Sequence, residues 1–176
     1  MVTNNALFFE FASEADVHEL VQLINHAYRG IHAQKGWTHE TNLVKGERIS
    51  ATQLANEMQR KGTFLIKGTD ARKQIQACVQ LYLHADTQCY LSLLTVDPDL
   101  QNQGIGKQLL LQAEKYAKSQ NCTCIIMSVL TARTELWNWY LRHGYQLTGL
   151  EKPFPTDTLA GTPMKPLTFT VLQKIL

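Results

Sequence analysis

An apolar strand, a turn with two glycines and the start of a helix follow one another in Val96-Asp-Pro-Asp-Leu-Gln-Asn-Gln-Gly-Ile-Gly-Lys-Gln-Leu109. This order points several backbone N–H groups and the positive end of a helix dipole at one place, which favours the binding of phosphate. Gly104 and Gly106 lack a Cβ atom, so an anion can approach the main chain closely and the turn can adopt positive φ. The motif therefore predicts a ligand that carries phosphate groups.

Two common phosphate-binding motifs do not fit this turn. A nucleoside triphosphatase loop needs a serine or threonine after its lysine, whereas Gln108 follows Lys107 here. A dinucleotide-binding turn needs three glycines and an acidic residue about twenty positions later, where this chain has the apolar residues 124–126. Both classes are therefore excluded by the residues themselves.

The arrangement Gln101-x-x-Gly104-x-Gly106 instead resembles the pyrophosphate loop of the GNAT superfamily of N-acetyltransferases. The resemblance implies that the loop holds the pyrophosphate of coenzyme A and that acetyl-CoA is the acyl donor. It also implies that the main chain of the strand before the loop contacts the pantetheine arm and the thioester. The cofactor-binding residues implied in this way are Leu94, Thr95, Val96, Gln101, Asn102, Gln103, Gly104, Ile105, Gly106, Lys107 and, at a later position, Arg133.

The spacing of apolar residues predicts the element order β-α-α-β-β-β-α-β-α-β-β, which is a mixed α/β sheet flanked by helices. This order matches the GNAT fold along essentially the whole chain. The resemblance therefore implies a twisted central sheet of about six to seven strands with about four helices, in a single domain over residues 1–176. Residues 30–46 and 151–166 are predicted to be irregular.

The segment Trp139-Tyr-Leu-Arg-His-Gly-Tyr145 resembles the Tyr-x-x-x-Gly-Phe/Tyr signature of the same superfamily. The hydroxyl of that tyrosine faces the cofactor sulfur in the family, so the resemblance implies that Tyr140 is the general acid for the departing thiolate. A phenol with a reference pKa of about 10 is protonated at neutral pH and can donate to a thiolate whose conjugate acid titrates at about 8.5. The alternative is that Tyr140 only packs in the core, as Tyr145 is expected to do.

Arg133 departs from the family pattern, because an asparagine that binds the pantetheine commonly stands seven residues before the tyrosine. Arg133 and Tyr140 are two helical turns apart and point the same way. An arginine there can reach a cofactor carbonyl, a phosphate or an anionic group of the acceptor, or can lie in solvent.

The sequence does not identify a general base. Tyr90 occupies roughly the position where some relatives carry a glutamate, and a tyrosine is not an ordinary base at neutral pH. His84 and His143 are alternatives, although each also fits a surface histidine.

Two long segments without regular structure, residues 30–50 and 151–166, are expected to cover the acceptor, since such loops often form binding walls. Their Trp-Thr-x-Glu and Pro-Phe-Pro sequences resemble those of a bacterial and fungal group of GNAT proteins. The predicted acceptor-binding residues are Trp37, Glu40, Arg48 and Phe154.

Each of these side chains suggests a property of the acceptor. Trp37 would wall an apolar or aromatic group, Glu40 would pair with an ammonium group, and Arg48 would hold a carboxylate. An amino acid or a small polyfunctional amine would then fit. The alternative is a packed tryptophan with two solvated charges.

Composition limits the possible partners. The 176 residues carry a net charge of only +2, which argues against nucleic acid or an anionic membrane as a general partner. No apolar run is long enough to span a membrane, and Met-Val-Thr-Asn-Asn at the start does not resemble a signal peptide. The expectation is a cytoplasmic monomer or homodimer that acts on a small-molecule amine.

The cysteines lie mostly in apolar runs and are expected to be reduced and buried; they are Cys78, Cys89, Cys122 and Cys124. They do not combine with the histidines in a zinc-binding spacing, so no metal is predicted.

The predicted function is acetyl transfer from acetyl-CoA to a primary amine of a small molecule, by direct attack on the thioester. An acetyltransferase for a protein N-terminus or a lysine side chain is the alternative enzyme. A non-catalytic sensor of coenzyme A or acyl-CoA is compatible with Arg133 and with the missing base, although a sensor does not need Tyr140. A domain that binds DNA or RNA is disfavoured by the balance of charge.

Overall fold

A computed structural model describes residues 7–84, 86–155 and 161–176. In chain order its helices and strands are β1 (Phe8–Phe11), α1 (Val17–Tyr28), α2 (Gly30–Ala33), β2 (Val44–Lys45), α3 (Ala51–Gln59), β3 (Thr63–Thr69), β4 (Ile75–Leu83), β5 (Gln88–Val96), α4 (Ile105–Ser119), β6 (Cys124–Leu130), α5 (Thr134–Arg142), β7 (Gln146–Pro153), β8 (Thr162–Pro163) and β9 (Thr168–Ile175).

Seven of these strands form one sheet with the order β1-β3-β4-β5-β6-β9-β7. Only β5 and β6 run parallel, and the other neighbours are antiparallel. The helices α4 and α5 connect β5 to β6 and β6 to β7. The described residues therefore contain the mixed sheet with flanking helices that the apolar pattern predicts.

The sheet is covered on both faces. Neighbouring residues of one strand, Leu65 and Ile66, belong to different apolar clusters and therefore point to opposite faces of the sheet. The larger cluster packs α4 and α5 on one face, and the second packs α1 and α3 on the other. All four cysteines are buried free thiols. In the described ranges, none of the helices combines the length and the apolar character that a membrane crossing requires.

The two segments predicted to be irregular contain short regular pieces. Residues 30–46 include the one-turn helix α2 and the strand β2, and β2 pairs with β8 from the second segment. The sheet strand β7 also extends into the second segment, as far as Pro153. Pairing between segments more than a hundred residues apart leaves no local pattern, so the sequence did not indicate it. Residues 156–160 of the predicted loop and residues 1–6 lie outside the described residues.

Capping boxes mark where two helical segments begin. The backbone N–H of Ser13 donates to Asp16 Oδ2 at 2.7 Å. At α3, the N–H of Ser50 donates to Gln53 Oε1 at 2.8 Å, while Ser50 Oγ accepts from the N–H of Gln53 at 3.2 Å. These bonds satisfy backbone donors that a helix start otherwise leaves unpaired.

We expect Ser50→Ala to lower the free energy of unfolding by about 1 kcal/mol, because it removes the oxygen that caps α3. Urea denaturation measures this change. Thr52→Ala is the control, since Thr52 is exposed within the same helix. An equal loss in both variants would contradict a capping role for Ser50.

Candidate active site

The site begins where β5 and β6 separate. Their parallel pairing ends at Tyr90 and Ile126, although both strands continue beyond this pair. The register of β5 against β4 shifts by a bulge in the same region, and Leu93 there has a φ of 50°, which is uncommon for a residue with a side chain. A gap therefore opens between two neighbouring strands in the middle of the sheet.

Two cavities meet at this gap. The first, here called the strand-gap cavity, has a volume of about 380 Å³ and lies between β5, β6, the end of α1 and the end of β7. The second, the glycine-loop cavity, has a volume of about 350 Å³. It lies between the loop of residues 101–107, residues 37 and 38, and one face of α5. Both cavities are lined by Tyr28, Leu94, Leu136 and Tyr140.

The glycine loop presents the start of α4 to its cavity. Gly104 precedes the helix with a φ of 80°, and a Cβ atom at this position would meet nothing within 4 Å. The first bond of the helix runs from the N–H of Gln108 to the carbonyl of Gly104 at 3.1 Å, so the N–H groups of residues 105–107 have no partner one turn earlier. Gly106 lies within the helix, and its φ is not positive. Only Gly104 of the two glycines therefore needs the conformational freedom that the sequence suggested for both.

Cationic and aromatic side chains line the glycine-loop cavity. Lys107 and Arg142 both line it, together with Glu135. The rings of Trp37 and Trp139 stand 6.4 Å apart on the same cavity. Helix-terminal N–H groups beside two cations favour a bound anion of more than one charge.

Gln101 ties the glycine loop to the segment of residues 36–40, here called the bridging segment. The N–H of Trp37 donates to Gln101 Oε1 at 2.9 Å, and Gln101 Nε2 donates to the hydroxyl of Thr38 at 2.9 Å. The side chain of Gln101, which the sequence predicts to bind cofactor, therefore uses its amide group to hold the wall of the cavity in place.

Arg133 holds the same bridging segment from the other side. Its guanidinium donates to the carbonyls of Trp37 at 2.9 Å, Thr38 at 2.8 Å and His39 at 2.7 Å. Its Nε donates to Glu135 at 2.7 Å, and the residue is only 4% exposed. The sequence did not identify the partner of Arg133. In the structure its guanidinium donates to three carbonyls of the bridging segment. A contact between Arg133 and cofactor stays a prediction.

Tyr140 lies where the two cavities meet and is 5% exposed. Its ring packs edge-on against Trp139, at 5.0 Å between centroids, and against Tyr145 at 5.6 Å. Burial raises the pKa of the Tyr140 hydroxyl above its ordinary value; nearby Tyr28 raises it further and Arg133 opposes the shift. The phenol therefore stays protonated throughout the neutral range, and packing fixes its ring.

Tyr28 borders both cavities and was missed by the sequence analysis. Its hydroxyl donates to the carbonyl of Leu94 at 3.0 Å, at the bulge in β5. Burial raises the pKa of Tyr28 to about 12, so this hydroxyl also stays protonated. The side chain stabilises a strand carbonyl that has left the sheet.

Charged side chains of the strand-gap cavity come mainly from the end of α1 and the segment after it. Arg29 is 8% exposed and donates to Glu40 at 2.9 Å. Burial lowers the pKa of Arg29, an effect that Glu40 opposes. Arg48 lies over the ring of Tyr28, with its guanidinium carbon 5.6 Å from the ring centroid. Lys152 lines the cavity from the end of β7.

The predicted acceptor residues are divided between the cavities. Glu40, Arg48 and Phe154 line the strand-gap cavity, where Phe154 stacks on Phe169 at 5.4 Å between ring centroids. Trp37 lines the glycine-loop cavity instead, because Gln101 holds its backbone beside the loop. An acceptor-binding role for Trp37 stays a prediction.

Most of the predicted cofactor residues come together. Those that line the glycine-loop cavity are Leu94, Val96, Gln101, Asn102, Gly104, Ile105, Gly106 and Lys107. Thr95 does not line it, since its side chain is 2% exposed and its hydroxyl donates to the carbonyl of Leu93 at 2.9 Å. Gln103 is exposed on the loop. The binding role of all these residues stays a prediction.

A helical pattern could have revealed three residues that the sequence analysis missed. Leu136, Trp139 and Arg142 line the glycine-loop cavity with Tyr140, and their spacing of three residues places them on one face of α5. His143, considered as a base, packs at a tilt against Trp139, with 4.1 Å between the ring centroids. Among the described residues, no group of His, Cys, Asp and Glu side chains is arranged to hold a metal ion.

We expect Arg133→Met to loosen the bridging segment, because three backbone carbonyls lose their donor. The free energy of unfolding should fall by about 1–3 kcal/mol, the cost of leaving buried polar groups unpaired. Hydrogen exchange measured by mass spectrometry should become faster in residues 36–40. Arg60→Met is the control, since Arg60 lies over Tyr82 on another part of the surface. Unchanged exchange in Arg133→Met would contradict the positioning role.

Comparison with protein families identifies one match. The model of the acetyltransferase (GNAT) family matches residues 17–145. An amino-acid acetyltransferase of Ectopseudomonas mendocina (strain ymp) is 35% identical over 79 residues, which are 44% of this chain and 17% of that protein. The chain therefore matches less than a fifth of the length of this curated relative.

Solved structures show the same fold at low sequence identity. The ribosomal-protein-S18-alanine N-acetyltransferase of Escherichia coli has a TM-score of 0.71 and 14% identity, covering 97% of this chain and 94% of its own. The PaiA N-acetyltransferase of Thermoplasma acidophilum, solved in complex with coenzyme A, has a TM-score of 0.69 and 17% identity, covering 97% and 99%. The predicted GNAT fold is thereby confirmed. Since the family model also matches more than half of the sequence, this chain belongs to the GNAT family of acetyltransferases.

Proposed function

We propose that this chain is an N-acetyltransferase that moves an acetyl group from acetyl-CoA to a primary amine of a small molecule. The observation that carries the proposal is the meeting of two cavities at Leu94 and Tyr140. One cavity has the features of a phosphate site, and the other has the volume of a small-molecule site. A donor and an acceptor that entered from opposite sides would meet beside a protonated phenol.

The residues of the glycine-loop cavity fit coenzyme A. The N–H groups at 105–107 would donate to the pyrophosphate, and Lys107 and Arg142 would compensate its charge. The separated part of β5 at Leu94 would receive the pantetheine amides, because this part of the strand has lost its pairing with β6. Bound acetyl-CoA would supply an activated carbonyl carbon and a thiolate leaving group.

The transfer needs one new bond, one broken bond and one proton donor. The nitrogen of the neutral amine would attack the carbonyl carbon, and the bond from that carbon to sulfur would break. Tyr140 would give its proton to the departing sulfur, the amine nitrogen would lose a proton to solvent, and the phenolate of Tyr140 would regain a proton from solvent. The hydroxyl is buried where the cavities meet and is protonated at neutral pH, so it can donate its proton to the sulfur as the carbon–sulfur bond breaks.

The size of the strand-gap cavity favours a small acceptor over a protein. About 380 Å³ suits a metabolite-sized molecule, and Phe154 and Arg48 form part of its wall. Acetyl transfer to a protein N-terminus or a lysine side chain is the alternative outcome of an acceptor screen. Binding of coenzyme A without any transfer would identify a sensor.

We expect Tyr140→Phe to lower kcat by roughly ten- to a thousandfold while acetyl-CoA binding changes little, because only the proton donor is lost. Release of coenzyme A thiol measures kcat, and isothermal titration measures binding. Tyr116→Phe is the matched control, since Tyr116 packs against Phe11 and Phe64 and lines neither cavity. Normal turnover of Tyr140→Phe would remove Tyr140 from the mechanism.

We expect Gly104→Val to abolish acetyl-CoA binding, because the added side chain would occupy the open space at the helix start. Gly149→Val is the matched control. Gly149 has the same φ of 80° and the same open surroundings, so the backbone strain is equal, but it lines neither cavity. Isothermal titration with acetyl-CoA, coenzyme A and ATP measures the effect. Wild-type affinity in Gly104→Val would show that the phosphate-binding loop is assigned wrongly.

A further inference from the structure

We propose that the acceptor molecule carries a carboxylate close to its reacting amine and that Arg48, assisted by Lys152, binds this carboxylate. The inference rests on the proposed function and narrows its acceptor to molecules of the amino-acid type. Simple monoamines, polyamines and peptide N-termini lack this carboxylate next to the reacting nitrogen.

The charges of the strand-gap cavity are unbalanced. Among the described residues that line it, four are cationic and one, Glu40, is a carboxylate. The ion pair with Arg29 at 2.9 Å compensates Glu40, and the ion pair with Glu135 at 2.7 Å engages Arg133. Arg48 and Lys152 form no ion pair within the described part of the chain. Two positive charges therefore remain for a ligand to balance.

Glu40 is already paired with Arg29, and binding of an acceptor ammonium by Glu40 stays a prediction. An acceptor ammonium would have to compete with Arg29, which is 8% exposed and already bound to Glu40. Breaking a buried ion pair leaves an uncompensated charge behind, which is strongly unfavourable. Recognition through the anionic end of the acceptor has no such cost.

Arg48 is held in a suitable position. Its backbone N–H donates to Asn25 Oδ1 at 2.7 Å, and its guanidinium lies over the ring of Tyr28. The hydroxyl of Tyr28 in turn donates to the carbonyl of Leu94, at the junction of the cavities. A guanidinium held beside a ring in this way can direct its planar N–H groups to a carboxylate in a bidentate bond.

The same geometry accounts for the placement of the amine. Arg48 lies over the ring of Tyr28, which lines both cavities, so a carboxylate bound to Arg48 would lie in the part of the strand-gap cavity that borders Tyr28. An amine one carbon from that carboxylate can then face the junction of the cavities. Ser128 also lines this cavity, and its buried hydroxyl has no hydrogen-bond partner among the described residues.

The test compares amines that differ only in the carboxylate. Acetyl-CoA is offered with each of the twenty common amino acids and with its amide, and for phenylalanine also with phenethylamine. Thiol release should give a kcat/KM at least about tenfold higher for the preferred amino acid than for its amide, as expected for a hydrogen-bonded charge. Ionisation alone would favour the amide, because its amine has the lower pKa.

Variants connect the preference to Arg48. Arg48→Met should reduce the acid-to-amide ratio of kcat/KM by about tenfold or more, and Arg48→Lys should reduce it less, because lysine keeps the charge without the planar fork. Arg60→Met is the matched control, since Arg60 also lies over a tyrosine ring, Tyr82 at 4.1 Å, and lines neither cavity. It should keep the wild-type ratio. Lys152→Met should have a smaller effect because Lys152 is exposed.

Failure of the inference differs from failure of the proposed function. Amides or simple amines that react as well as the amino acids would overturn the carboxylate requirement while leaving acetyl transfer in place. A ratio that survives Arg48→Met would overturn the role of Arg48. Binding of acetyl-CoA without transfer to any amine in the panel would overturn both proposals.

Discussion

The separation of β5 from β6 after Tyr90 is the constraint on which the site depends. Backbone groups that leave a ladder inside a protein must find other partners, and two hydroxyls supply them here. Tyr28 donates to the carbonyl of Leu94 and Thr95 to the carbonyl of Leu93. The gap can then remain open in the middle of an otherwise continuous sheet, and it joins a cavity on one side to a cavity on the other.

Charge is distributed unevenly around this gap. Lys107 and Arg142 stand by the glycine loop, while Arg48 and Lys152 stand by the strand gap. The carboxylates of Glu40 and Glu135 are bound to Arg29 and Arg133, which reduces their influence on a ligand. Both cavities therefore favour anions, although one is built from helix-terminal N–H groups and the other from side chains alone.

Local signals explain what the sequence predicted well. The glycine loop and the apolar spacing of the helices each depend on residues a few positions apart, and the structure contains both. The three carbonyls bound by Arg133 lie more than ninety positions away, so no local pattern identifies them. The same holds for the pairing of β2 with β8 and for the side of the bridging segment on which Trp37 lies. Tyr28 was missed because it ends an amphipathic helix, where an aromatic residue fits the apolar stripe as well as it fits a site.

The bridging segment forms part of the wall of both cavities, so it can couple the binding of a ligand in one cavity to the binding of a ligand in the other. Its Trp37 lines one cavity and its Glu40 the other, and the Arg133 bonds hold the residues between them. A molecule that displaces Trp37 must displace Glu40 as well or break these bonds. Linkage of this kind is reciprocal: if one ligand tightens the binding of the second by some factor, the second tightens the first by the same factor. The order in which the two ligands bind can then change the rate at which the ternary complex forms. The free energy of that complex is the same for either order.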